Sequence, residues 1–112
     1  MHLKEIKEKL DLKILTGSIQ PEIEVQRGYV SDLMSDVIAH GKDEDIWITY
    51  QTHVNVVAIA LMKNMSGVIL IQGRELIPSA AKKAEQENLV VFSSNASSFE
   101  MAGKLYKLGI PG

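Results

Sequence analysis

The chain has 112 residues, 46% of them apolar and 23% charged, which is enough for one folded domain over residues 1–112 and excludes disordered and fibrous classes. Twelve Lys and Arg against fourteen Asp and Glu leave a formal charge of −2, so there is no positive field for a phosphate backbone and nucleic acid is not an expected partner. With no Cys, disulfides, thiolate metal sites and cysteine nucleophiles are ruled out, which suits a reducing compartment.

Leu3, Ile6 and Leu10 recur at spacings of three and four, predicting a helix over residues 3–10. Leu12–Leu15 and Ile23–Val25 read as two short strands around a polar loop that holds Gly17 and Pro21. Ser31 is expected to cap a helix whose apolar face is Leu33, Met34, Val37 and Ile38, ended by Gly41.

Three strand-like runs then each pass into a helical pattern. Asp45–Thr49 leads to a helix with the stripe Val54, Val57, Ala58 and Leu61, although Val56, Ile59 and Met62 widen its apolar surface so that it is either central or at a dimer interface. Gly67–Ile71 is a continuous apolar run, as in a strand covered on both faces, and ends at Gln72-Gly73. Pro78 opens the next helix, which packs through Ala80, Ala81 and Ala84. Leu89–Phe92 is the third run, and Ser97 or Ser98 caps a last helix with the stripe Phe99, Ala102, Leu105 and Tyr106. The fold class is therefore α/β, with a mainly parallel, covered sheet built from three successive βα units after an N-terminal helix and two short strands.

The longest uncharged stretch, Ile46 to Met62, is broken by Tyr50, Gln51, Thr52, His53 and Asn55, so no membrane span is expected. The N-terminus alternates charged and apolar residues and has no signal-peptide core, which makes the cytoplasm the expected setting.

In an open α/β sheet, ligands bind beyond the carboxyl ends of the strands. The candidate ligand-binding residues are those of these loops: Ser31 and Asp32; Thr52, His53 and Asn55; Gln72, Gly73 and Arg74; Ser93 and Ser94. His53 is either a hydrogen-bonding or proton-transfer group near pH 7 or a helix-start ring that packs or caps. Arg74 is either a fork for phosphate or carboxylate or half of a solvated pair with Glu75. The serine-rich third loop is either an anion cradle or ordinary helix capping. No phosphate-loop, dinucleotide or nucleophile-elbow motif is present, no metal-ligand spacing occurs, and no catalytic residue or cofactor is assigned.

The ordered segments GYVSDLMSDV (28–37), DIWIT (45–49), THVN (52–55), GVILIQG (67–73) and SSFEMAGKLYKLGI (97–110) resemble a stand-alone DRTGG domain over nearly the whole chain. The motif that names that family is altered. Its Asp-Arg and Thr-Gly-Gly positions hold Thr52-His53 and Ile71-Gln72-Gly73, so only the last Gly remains and the donors on that face are His53 and Arg74. The family is similar in fold to the N-terminal domain of HPr kinase and occurs as an accessory domain in phosphotransacetylases and CBS-domain inorganic pyrophosphatases. The resemblance implies a non-catalytic regulatory or scaffolding module, homodimeric, serving a metabolic enzyme and sensing a small anionic ligand or nucleotide. The alternative is a small enzyme acting on a phosphorylated or carboxylated metabolite, with His53 as acid or base; it requires His53 and Arg74 to share one concave pocket.

Overall fold

The computed structural model describes residues 1–112. Helix α1 (Leu3–Leu10) forms where the spacing predicted it, with Leu3 and Ile6 buried and Asp11 closing it in the left-handed conformation. Strand β1 (Lys13–Thr16) follows, then β2 (Arg27–Val30), α2 (Met34–His40), β3 (Asp45–Thr49), α3 (Val54–Met62), β4 (Gly67–Leu70), α4 (Pro78–Gln86), β5 (Val91–Ser93) and α5 (Ser98–Lys107). The five strands lie in the order β1-β5-β4-β3-β2. Strands β2 to β5 are parallel and β1 runs antiparallel along β5. The fold is α/β with a mainly parallel sheet, and the parallel set has a fourth βα unit, β2 with α2, ahead of the three read from sequence.

Alternate strand residues feed two cores. Trp47, Val68, Leu70 and Val91 pack under α2, α3 and α4. Ile46, Ile48, Ile69 and Phe92 pack under α1 and α5. Both faces of the central strands are covered, which explains the unbroken apolar run at residues 67–71.

Five expectations are corrected. The second short strand is Arg27–Val30, not Ile23–Val25. Residues 23–25 make one bridge, His2 to Glu24, and Val25 N donates to Met1 O. Three alternating residues are too weak a signal against the register that Arg27 secures by forking onto Asp45. Ser31 does not cap α2: the helix starts later, and Ser31 Oγ instead accepts from Leu33 N in a local turn. Of that helix's expected face, Val37 is buried and Met34 partly so, while Leu33 and Ile38 are exposed.

In α3 the buried residues are Val56, Val57, Ile59 and Ala60, while Val54 and Ala58 face outward. The helix is central, packed against α2 on one side and α4 on the other. A helix that is almost entirely apolar has no polar side to mark its exposed face. In α5 the sheet takes Met101 and Leu105 and leaves Phe99 and Tyr106 in solvent.

Other local signals hold. Pro78 opens α4 and Ser97 Oγ accepts from Glu100 N at the start of α5. Gly41 ends α2 for reasons of space, since a Cβ there would lie 2.6 Å from Val37 O.

Candidate functional site

The parallel strands direct the loops after β2, β3, β4 and β5 to one edge of the sheet, and antiparallel β1 starts at that same edge, with Lys13 paired to Ser93. A cavity of ≈ 340 Å³ opens there, lined by Asp11, Lys13, Gly73, Glu75, Ser93, Ser94 and Asn95 and by no apolar residue.

The backbone beneath it is held tightly. Gln72 and Gly73 are consecutive left-handed residues, and their N–H groups donate to Ala96 O at 3.0 Å and Ser94 O at 2.8 Å. The positive φ favours glycine at residue 73, and a Cβ there would come 2.9 Å from Asn95 Oδ1 and push that side chain aside. Ser93 Oγ donates to Arg74 O at 3.0 Å, which ties the β4 and β5 loops together, and Ser94 Oγ accepts from Ala96 N at 3.1 Å within the β5 loop. The side chains of Asp11, Lys13, Glu75 and Asn95 have no ion-pair or hydrogen-bond partner in the protein. They are the groups free to meet a ligand.

Beside the cavity, the Arg74 guanidinium stacks on the Tyr50 ring at 4.1 Å, and its Nη2 is 3.5 Å from the hydroxyl of buried Thr52. Thr52 O accepts from Ile77 N, which joins the β3 and β4 loops. At the β2 end, Asp32 Oδ1 accepts from Thr49 Oγ1 at 2.8 Å and from Tyr50 N at 2.7 Å, and Ser31 O accepts from Trp47 Nε1 at 2.9 Å. Asp32 and Ser31 are thus occupied in holding loops.

The ten candidate residues separate accordingly. Gly73, Ser93 and Ser94 line the cavity, Thr52 and Arg74 form the ridge beside it, and Ser31 and Asp32 brace the β2 and β3 ends. His53 is the residue before α3 and makes no capping hydrogen bond; it, Asn55 and Gln72 are exposed and line no cavity. Arg74 lines none either, so the shared pocket that the enzyme alternative requires is not formed.

Sequence reasoning missed Lys13, Asp11, Glu75, Asn95 and Tyr50. Asn95 and Tyr50 stand in polar loops already recognised, but nothing local marks Lys13, which reaches this edge only because β1 runs antiparallel to β5.

The shifted ionisable groups lie away from the cavity, on β2 and α2. Tyr29 donates its hydroxyl proton to Asp36 Oδ2 at 2.6 Å, which raises the phenol above its ordinary value and holds the carboxyl below its own. The Arg27 fork on Asp45, with bonds of 2.8 and 2.6 Å, raises the guanidinium further. These are structural pairs. A second cavity, of ≈ 290 Å³, opens at the opposite edge among Glu22, Glu24, Glu44 and Glu87 and contains no cationic side chain. No three His, Cys, Asp or Glu side chains are grouped to hold a metal ion, and no helix is long and apolar enough to cross a membrane.

No protein-family model matches the chain, and neither does any curated protein. A solved structure does: the CBS and DRTGG domains of the regulatory region of Clostridium perfringens pyrophosphatase, complexed with its activator, diadenosine tetraphosphate. The match has a TM-score of 0.71 at 17% sequence identity and covers 98% of this chain. The fold is DRTGG-like. The chain spans 47% of the matched one, about half of that regulatory region. The match extends over nearly all of the sheet and its helices, and in this chain the polar cavity lies beyond the ends of β4 and β5.

Proposed function

We propose that the chain is a regulatory module that works as a homodimer, holds a small anionic ligand of the nucleotide class at the strand-end cavity, and acts on a metabolic enzyme. The observation that carries this reading is the fold, which is shared over 98% of the chain with a regulatory region crystallised with a polyphosphate dinucleotide activator. The cavity suits such a ligand chemically. Lys13 is an unpaired cation for a phosphate, the Ser94 hydroxyl and the Asn95 amide are further donors, and Asp11 and Glu75 are acceptors for the hydroxyl and amino groups of a sugar or base.

The test is thermal unfolding of the purified chain with inorganic phosphate, ATP and diadenosine tetraphosphate. A ligand at a hundred times its Kd stabilises the folded form by about 2.7 kcal/mol. A rise in Tm with a nucleotide that is lost in Lys13→Ala supports the reading. If none of the three shifts the unfolding of the wild-type chain, the ligand part is overturned. Affinity purification from the native host tests the enzyme partner, and recovery of the chain alone counts against it.

A further inference from the structure

Helix α5 carries two apolar stripes, and the sheet uses only one. Met101 and Leu105 are buried, whereas Phe99 is 88% exposed and Tyr106 is 73% exposed. Residues three, four and seven apart share a helix face, so Phe99, Gly103 and Tyr106 line up on the solvent side. Two exposed aromatic rings on one short helix are an unusual surface for an isolated domain.

Gly103 lies in the middle of this helix, and a Cβ built on it meets nothing within 4 Å. Glycine in an exposed helix interior costs about 1 kcal/mol relative to alanine. Nothing within the chain requires glycine there. A second helix crossing at that point would, because the residues at the contact set how closely two helix axes approach.

Charge identifies the occupant. Glu100 lies in the first turn of α5 and Lys107 in the last, seven residues apart and on the same flank of the stripe. We infer that this face is the contact between two copies of the chain, with α5 crossing the partner's α5 antiparallel about a two-fold axis near Gly103. In that arrangement each Phe99 lies beside the partner subunit's Tyr106, and each Glu100 beside the partner subunit's Lys107. A two-fold contact is self-complementary, and α5 carries a ring and an acid at its start and a ring and a base at its end, so that each end complements the other end of an antiparallel copy. Val30, 49% exposed beside Ala102 and Tyr106, extends the apolar area onto β2. Strand addition at the β2 edge is not the mode, since Gly28 N already donates to Pro111 O at 2.8 Å.

This inference rests on the homodimer reading above, and one set of measurements separates the two. Sedimentation equilibrium of the full chain is compared for wild type, Glu100→Lys, Lys107→Glu, the double exchange, and Gly103→Leu. The wild type is expected to be a dimer. Each single charge reversal weakens it by at least about tenfold, and the double exchange restores it, because like charges across a contact cost several kcal/mol. Gly103→Leu raises helix propensity, so a loss of dimer there comes from the blocked crossing and not from unfolding. A monomeric wild type overturns the homodimer reading and the α5 contact with it. A dimer that none of the variants weakens overturns the α5 contact and leaves the homodimer standing. Single reversals that weaken the dimer without recovery in the double exchange overturn the antiparallel crossing.

Discussion

The two ends of the sheet's carboxyl edge are both rich in polar side chains, yet they are built differently. On the β2 and β3 side the polar groups that brace the strands are paired: Asp32 collects Thr49 and Tyr50 at the carboxyl edge, Tyr29 bonds Asp36, and Arg27 forks onto Asp45 where the two strands begin, while His53 and Asn55 stay in solvent. At the β4, β5 and β1 end, Asp11, Lys13, Glu75 and Asn95 surround a cavity with their side chains unpaired. Polarity alone therefore does not mark a binding site. A side chain whose hydrogen bonds are already made stabilises a loop, and one whose bonds are unmade is available to something else.

The contrast breaks most sharply at Arg27. Asp45 is 0% exposed, and Arg27→Ala leaves its carboxylate with little more than the Lys42 N–H at 2.7 Å. Removing one partner of a buried ion pair costs about 3–5 kcal/mol, read as a lower denaturant midpoint. Asp32→Ala is expected to cost about 1–3 kcal/mol in the same assay, because buried Thr49 Oγ1 and Tyr50 N lose their acceptor. Asp32→Asn, which keeps an acceptor oxygen, should recover most of that loss.

At the other end, Lys13→Ala or Asn95→Ala should change stability by less than about 0.5 kcal/mol. Equal destabilisation at both ends would erase the distinction drawn between them. The smallest effect is electrostatic. Asp36 is held below its ordinary value chiefly by the Tyr29 hydroxyl, with smaller help from Ser31 and His40, so its contribution is complete above the unfolded carboxyl value and is lost as pH falls through the lowered one. The raised Tyr29 phenol contributes below its unfolded value, and that contribution is lost as pH rises through the raised one. Tyr29→Phe should move the Asp36 carboxyl upward in an NMR titration and abolish the alkaline limb; an unmoved Asp36 would show that the hydroxyl is not the cause.

The candidate site was legible where loops followed strongly marked strands. Gly73, Ser93 and Ser94 stand in the cavity because the runs at 67–71 and 89–92 leave little choice of where their strands end. His53 stands in one of these loops, before α3, and lines no cavity, because sequence position carries no information about where a loop side chain turns. Lys13 was invisible for a different reason. It lines the cavity through pairing with Ser93, eighty residues away in the chain, and only the order of strands in the sheet creates that proximity.

By itself the sequence determined what depends on neighbours a few residues apart: the α-helix over residues 3 to 10 from its apolar period, the helix start at Pro78 from a fixed φ and a missing N–H, a serine cap at 97 or 98, and the buried β4 from its apolar run. The tertiary structure decided which of the two α5 stripes enters the core, which strand stands at each edge, and which polar groups remain unpaired. Those outcomes depend on strand pairing and burial between residues distant in sequence, where the local preferences of competing arrangements are nearly equal and the packing of the whole sheet selects among them.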